Sequence, residues 1–194
     1  MKDRFNRFRS NVNNQFVEVS DNLNTFQCMD LAYCWIFSLN IPKATIQRLY
    51  AYEVFSSPSD LTKQYFDIIP NSPTNTPPVG SLVVWKKGFG GSIAGHIGIA
   101  SVDADVNRFK SFDQNLPLKS KAHLEEHNYD MVHGWLIPKV VSTEPVIDWG
   151  TKIPQIIENG QPLEVQQIFA QRAASNVKIA ELSEIKTKVH EMTK

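Results

Sequence analysis

Cys28 and His96 are the two side chains of this sequence whose types and settings best suit nucleophilic chemistry. Cys28 opens an apolar run typical of a helix, and the partial positive charge at a helix N-terminus favours the thiolate over the thiol. His96 follows a glycine-rich turn and begins a strand-like run, and an imidazole that titrates near neutrality is a suitable general base for a thiol. A simpler interpretation stays open on these residues alone: Cys28 as a small buried hydrophobic residue, and His96 as a strand-end histidine bound by the backbone.

The second cysteine, Cys34, lies six positions after Cys28 on the same predicted helix. Helical rise would separate the two residues by about 9 Å, which exceeds the roughly 7 Å limit for a disulfide. Two cysteines are also too few for a four-thiolate zinc site. We therefore expect both thiols to be free, in a protein made under reducing conditions, with Cys34 as a packing residue.

A third polar group could orient the imidazole of His96. Asp113, Gln114 and Asn115 end the next strand-like run, so either the carboxylate or the amide at this position could accept a hydrogen bond from the ring. A polar turn is the alternative for such a tripeptide. Cysteine at a helix start, histidine at a strand start and Asp/Asn one strand later is the order of functional groups in papain-like enzymes.

The remaining histidines lack such a setting. His123 and His127 are four residues apart, but no third metal ligand accompanies them, so solvated helix positions are expected for both. His133 alternates with Trp135 along a strand-like run and is expected to be structural.

Helical patterns are concentrated in the N-terminal part of the chain. Apolar spacing predicts a largely buried helix over residues 26–39, ended before Pro42, and a second helix over residues 45–55 with Thr45 as its cap. Residues 56–80 carry five prolines and read as loop, with a short helix around residues 61–66.

Strand patterns follow these helices. Short β-rich runs separated by turns predict a small antiparallel sheet from residues 81–85, 96–102, 108–112 and 131–137. Helices first and sheet second is an α+β arrangement rather than an alternating βαβ one.

The character of the chain changes after Pro138. Residues 1–139 are predicted to form the catalytic domain, and residues 140–163, with three prolines, a linker. Residues 164–194 are predicted to be a helical extension, because apolar residues step by three and four among Glu and Lys.

Composition excludes several classes of function. The chain has 20 basic and 20 acidic residues, so it lacks the positive field of a nucleic-acid-binding protein or a polybasic membrane anchor. No run of about 18 apolar residues suggests a membrane span. The basic first ten residues are not followed by an apolar stretch, so we expect synthesis in the cytoplasm without a secretory signal.

Five runs, in order along the chain, carry a family resemblance. The sequence resembles the CHAP domains, which are the cysteine, histidine-dependent amidohydrolases/peptidases of bacteriophage endolysins and bacterial autolysins. The similar segments are residues 27–31 (QCMDL), 79–85 (VGSLVVW), 95–100 (GHIGIA), 112–115 (FDQN) and 135–138 (WLIP). The resemblance covers about residues 15–138 and implies a papain-like (CHAP/NlpC-type) α+β fold, with N-terminal helices packed on a small antiparallel sheet.

The resemblance also implies roles for individual residues. Cys28 would attack an amide carbonyl and form a thioester, and His96 would carry the proton to the leaving amine. Asp113 or Asn115 would orient His96. Gln27 and the Cys28 backbone N–H would line an oxyanion hole, where one donor is typically worth about 3 to 4 kcal/mol.

Some members of this family bind calcium just before the cysteine. Asp21 and Asp30 match two of the ligand positions, whereas Val19 stands where another aspartate is usual, and losing one carboxylate weakens an oxygen-ligand site. We therefore expect that no cofactor is required, although a calcium ion is compatible with the resemblance. Asp21 as a cap and Asp30 as an acid of the first helical turn are the simpler roles.

The implied function is hydrolysis of amide bonds in bacterial peptidoglycan by a phage lysin, as an N-acetylmuramoyl-L-alanine amidase or a peptide endopeptidase. Such an enzyme would act on the wall after release from the host cytoplasm, or as part of a virion. The helical extension at residues 164–194 would then serve docking, wall binding or self-association. Two alternatives stay open. One is a papain-like amidase or peptidase for a non-wall substrate, and the other is a catalytically idle domain of a phage structural protein.

Overall fold

The computed structural model describes residues 1–19, 26–101 and 104–139. The predicted linker at 140–163 and helical extension at 164–194 lie outside the described residues, and both stay predictions. Asp21 also lies outside them.

Helices occupy the first half of the chain. Four α-helices and two single 3₁₀ turns are present within the described residues. The α-helices are α1 (Lys2–Val12), α2 (Cys28–Ser38), α3 (Glu53–Ser56) and α4 (Asp60–Tyr65), and the 3₁₀ turns are Lys43–Thr45 and Phe89–Gly91. The predicted helices at residues 26–39 and 61–66 are confirmed as α2 and α4.

A six-stranded sheet forms the second layer. Its strands are β1 (Phe66–Pro70), β2 (Leu82–Trp85), β3 (His96–Ala100), β4 (Phe109–Asp113), β5 (His123–His127) and β6 (Val132–Pro138). They lie in the order β1-β6-β2-β3-β4-β5, and every neighbouring pair is antiparallel. The four predicted strands are present as β2, β3, β4 and β6, which confirms the α+β class.

The α2 helix forms the centre of the core because it is apolar on nearly all sides. Every residue from Asp30 to Phe37 is buried, and the helix packs against β3. Its Trp35 is fully buried and donates a hydrogen bond from Nε1 to the Gly80 carbonyl at 2.8 Å, so the indole N–H is satisfied inside the core.

The α1 helix was absent from the predicted elements. Charged residues dominate its sequence, but Phe5, Phe8 and Val12 are spaced by three and four and are all buried. The Phe5 ring meets Trp35 edge-on, with ring centroids 5.8 Å apart, and meets Phe112 at 6.3 Å. These contacts tie α1 to both layers of the fold.

The predicted helix at residues 45–55 is wrong. This segment contains a 3₁₀ turn, irregular backbone and the short α3 helix. Leu49, which the predicted helix would place on its apolar face with Ile46, is 82% exposed. A tertiary hydrogen bond competes with the helix, since the Tyr52 N–H donates to the Ala94 carbonyl at 3.0 Å instead of bonding within a helical turn.

Two further strands, β1 and β5, were also absent from the prediction. Both lie at the edges of the sheet. Pro70 ends β1, a position where its missing N–H costs no ladder hydrogen bond. The β5 strand is mostly polar and charged, so it carries no apolar alternation that would have identified it.

The described helices are too short to cross a membrane. The longest, α1 and α2, have 11 residues each, whereas a span needs about 20 apolar residues.

Replacing Phe5 by alanine tests whether α1 belongs to the core. We expect Phe5→Ala to lower the free energy of unfolding by about 3 to 5 kcal/mol, because a fully buried aromatic ring is lost and a cavity remains. Urea denaturation measures the change. Arg7→Ala, at an exposed site on the same helix, is the control and should stay within about 0.5 kcal/mol of the wild type. Equal losses in both variants would contradict this packing.

Candidate active site

Cys28 is the first residue of α2 and is half-buried. The residue before it, Gln27, has extended backbone with φ −76° and ψ 161°, which is the geometry of an N-cap. Asp30 reaches back with Oδ2 and accepts from the Gln27 N–H at 2.7 Å, so the carboxylate stabilises the helix start. The Cys28 thiol therefore lies where the positive end of the helix faces it.

His96 begins β3 and is 4% exposed. Its Nε2 is 2.8 Å from Asp113 Oδ1, and a second hydrogen bond joins the ring to Cys28. Because Nε2 is engaged by Asp113, Nδ1 is the nitrogen left to bond the thiol. The three side chains thus form one hydrogen-bonded chain from α2 through β3 to β4.

The electrostatics of His96 follow from these two partners. Burial opposes a charge on the ring, but the charges and hydrogen bonds of Cys28 and Asp113 outweigh it and raise the pKa of His96 from 6.5 to about 10. With the ionised carboxylate of Asp113 beside it, the His96 ring carries its proton at neutral pH.

Asp113 is fully buried and accepts three hydrogen bonds. Oδ1 is bound to His96, while Oδ2 accepts from Ser111 Oγ and lies 3.1 Å from His127 Nε2. Burial alone would raise the pKa of Asp113, but the hydrogen bonds and charges of the two histidines hold it well below its usual range. A Cβ at Gly98 would overlap with Oδ1, so glycine at that position leaves the space the carboxylate needs.

Gln114 connects the end of β4 to the start of α2. Its side chain is fully buried. Its Oε1 accepts from the Val17 N–H at 2.7 Å, and its Nε2 donates to the carbonyls of Val17 at 2.8 Å and Gln27 at 3.0 Å. The residue before the nucleophile is thereby fixed relative to the strand that carries Asp113. Gln114 was one of the three polar residues considered as a partner of the His96 ring, and these contacts are with backbone groups instead.

Asn115 contacts a different partner from the one considered above. Its Nδ2 donates to Gln27 Oε1 at 3.1 Å, and its Oδ1 accepts from the Lys119 N–H at 2.7 Å. Of the two candidates for orienting His96, Asp113 is the one in contact with the ring, whereas Asn115 holds the Gln27 side chain beside Cys28.

His127 is the site residue that sequence reasoning missed. The expected helix carrying His123 and His127 is wrong, because both lie on β5. His127 reaches Asp113, while His123 contacts the Lys121 carbonyl at 2.7 Å and Glu125 at 3.2 Å. The spacing of four residues also places two side chains on one face of a strand, and a strand pairing with the Asp113 segment would have revealed the contact.

Asp30 is the one of the two candidate calcium ligands that lies within the described residues. Asp30 is 1% exposed, and its two oxygens accept from the N–H groups of Gln27 and Val19, at 2.7 and 3.3 Å. Burial and the neighbouring Glu18 carboxyl raise the pKa of Asp30 to about 6. Among the described residues, no group of three or more His, Cys, Asp or Glu side chains could hold a metal ion. Both carboxylate oxygens of Asp30 thus accept from backbone N–H groups.

The other candidate residues lie outside this chain of contacts. Cys34 is buried, and burial followed by the charge of Asp30 raises the pKa of its thiol to about 12, which makes it unreactive. His133 stacks on Phe55, with ring centroids 5.3 Å apart, in agreement with the structural role expected for it.

Comparison with known proteins gives structural matches only. No family model matches the sequence, and no curated protein matches it. Ly7917, solved with the hydrolysing product of MDP, is 18% identical with a TM-score of 0.51, over 70% of this chain and 61% of that one. A second Ly7917 structure is 19% identical with a TM-score of 0.50, over 70% and 60%. The wild-type endolysin LysIME-EF1 is 25% identical with a TM-score of 0.47, over 70% and 62%.

This chain therefore spans about three fifths of the length of those proteins. The likeness to Ly7917 shows the fold, which is a set of helices packed on an antiparallel sheet. On that fold, the hydrogen-bonded cysteine, histidine and aspartate have the arrangement that a cysteine nucleophile needs.

Replacing Asp113 by asparagine tests the electrostatics of the site. Asp113→Asn keeps the shape of the side chain but removes its charge, so the imidazolium of His96 should lose its proton at a lower pH than the wild-type value of about 10. Titration of the ring ¹⁵N resonances by NMR measures the midpoint.

His133 supplies an internal reference for this titration. Burial and the charge of Lys86 lower its pKa, and neither changes in the variant, so its midpoint should be the same in both proteins. An unchanged His96 midpoint in Asp113→Asn would contradict the assigned role of the carboxylate.

Proposed function

We propose that this protein is a cysteine hydrolase that cleaves amide bonds in bacterial peptidoglycan, in the manner of phage lysins. The observation that carries the proposal is the hydrogen-bonded chain of Cys28, His96 and Asp113, with the thiol at a helix N-terminus. A nucleophile, a base and an orienting acid in contact are the minimum set for acyl transfer through a thioester.

The first step of the proposed reaction is attack by the Cys28 thiolate on an amide carbonyl. The imidazolium of His96 then donates its proton to the amide nitrogen, so the C–N bond breaks and a neutral amine leaves. The acyl group remains on sulfur as a thioester. Asp113 keeps the ring oriented and stabilises its positive charge during this step.

The second step regenerates the enzyme. Neutral His96 takes a proton from a water molecule, whose oxygen attacks the thioester carbonyl. The C–S bond breaks, the acid product leaves and the thiolate–imidazolium pair is restored.

The developing oxyanion needs donors beside the sulfur. The Cys28 backbone N–H is unpaired within the helix, as the first N–H groups of any helix are. Gln27 adds a side-chain amide whose oxygen is bound by Asn115. We propose these two residues as the oxyanion hole, with Asn115 and Gln114 as the residues that hold Gln27 in place.

Two observations support peptidoglycan as the substrate. One is the order of the five CHAP-like segments along the chain, which resemble a family of wall hydrolases. The other is that Ly7917, which shares the fold, was solved with the hydrolysing product of MDP. Both an N-acetylmuramoyl-L-alanine amidase and a peptide endopeptidase use this chemistry, because the sugar–peptide bond, the stem peptide and the cross-bridge are all amides.

Digestion of purified peptidoglycan from several Gram-positive species tests the proposal. We expect the wild type to release fragments, and Cys28→Ala and His96→Ala to lose at least about a thousandfold in rate while remaining folded. Mass spectrometry of the products identifies the bond. New amines on stem or cross-bridge peptides indicate an endopeptidase, and glycan strands freed of intact peptides indicate an amidase.

Cys34→Ala is the matched control, since it removes the other thiol from a buried position and should leave the rate nearly unchanged. A chelator should also leave the rate unchanged if the enzyme works without calcium. Full activity in Cys28→Ala would refute the mechanism. Lack of release from every wall by the wild type would refute the substrate and favour a non-wall amide or a catalytically idle domain.

A further inference from the structure

Asp113 lies between two imidazole rings from different strands. His96 on β3 is bound to Oδ1 at 2.8 Å, and His127 on β5 lies with Nε2 at 3.1 Å from Oδ2. His96 is the histidine that is hydrogen-bonded to Cys28. The reaction proposed above uses His96 alone, so His127 has no assigned role in it.

The position of His127 is fixed by the aromatic rings around it. Its side chain is 9% exposed. The ring meets Trp85 edge-on with centroids 4.9 Å apart, and lies 5.7 Å from Phe109 and 6.1 Å from Phe89. Trp85 also contacts His96, with centroids 5.2 Å apart. Both imidazoles therefore pack against one indole, and the shared carboxylate joins them through hydrogen bonds.

Hydrogen bonds to both oxygens fix the orientation of the Asp113 carboxylate. Oδ2 receives two donors, Ser111 Oγ from β4 and His127 Nε2 from β5, whereas His96 is the donor to Oδ1. Because the carboxylate accepts and cannot donate when ionised, His127 must carry its proton on Nε2. With Oδ2 anchored on two sides, the other oxygen stays directed at His96.

We propose that His127 is a positioning residue, which keeps Asp113 ionised and oriented towards His96 and so extends the catalytic chain to four side chains. This inference rests on the proposed function for its kinetic consequences, but its structural content does not depend on the substrate. His127 contacts neither substrate nor sulfur in this role, and its proton stays on Nε2 throughout the reaction. Among the described residues, the polar groups that bond the His96–Asp113 pair are Cys28 from α2, Ser111 from β4 and His127 from β5.

Three variants separate positioning from packing. His127→Phe keeps an aromatic ring against Trp85 but removes the N–H donor. His127→Gln keeps an N–H donor at a similar distance from Cα but removes the ring. His123→Phe is the matched control, because His123 is on the same strand and bonds only to Lys121 and Glu125 in the described contacts.

We expect His127→Phe to lower kcat on a soluble wall fragment by about tenfold, with KM within about twofold, as loss of an orienting hydrogen bond does. His127→Gln should recover most of the lost kcat, and His123→Phe should match the wild type. The NMR titration midpoint of His96 should fall in His127→Phe, remain close to wild type in His127→Gln and be unchanged in His123→Phe.

Two results would overturn the proposal. One is a His127→Phe variant whose kcat and His96 titration midpoint equal those of the wild type. The other is a His127→Gln variant as impaired as His127→Phe, which would mean that the ring matters only for packing. If His127→Phe fails to fold, His127→Gln alone decides, because it must keep both readouts near wild type. If the wild type cleaves no wall, the proposed function fails. The His96 titration midpoints in the three variants still test the contact between His127 and Asp113.

Discussion

The buried carboxylate of Asp113 is the group around which the site is organised. An ionised carboxylate in the protein interior carries a desolvation penalty of several kcal/mol unless donors replace the lost water. Here the donors are two histidines and a serine from three adjacent strands, so β3, β4 and β5 must keep one relative register. The absence of a side chain at Gly98 is part of the same constraint, since any Cβ there would displace the carboxylate.

The end of β4 also positions the nucleophile. Asp113 engages the histidines, while Gln114, the next residue, engages Val17 and the Gln27 carbonyl that precedes Cys28. Two consecutive residues thereby fix the base and the thiol against the same strand end. The thiol is held from the helix side as well, because Asp30 accepts the Gln27 N–H and stabilises the first turn of α2. This double attachment holds the thiol next to the imidazole.

Helices and strands were predicted most accurately where the local pattern of apolar residues was strong. The α2 helix and the strands β2, β3, β4 and β6 carry long apolar runs or strong β-propensity, and each was predicted near its observed bounds. The edge strands β1 and β5 are polar or end in proline, so their formation depends on partners distant in sequence. The segment at residues 45–55 had a helical apolar pattern, but tertiary hydrogen bonding to the turn before His96 overrode that preference.

Residue chemistry and order along the chain were sufficient to select Cys28, His96 and Asp113 as candidates. A thiol at a helix start and an imidazole at a strand start are local features that a sequence displays directly. Tertiary structure decided which of Asp113 and Asn115 meets the imidazole, because that choice depends on which side chain turns inward at a strand end. It also brought His127 to the carboxylate, since a hydrogen bond across neighbouring strands depends on register. Register is set by the packing of the whole sheet, and no short run of residues specifies it.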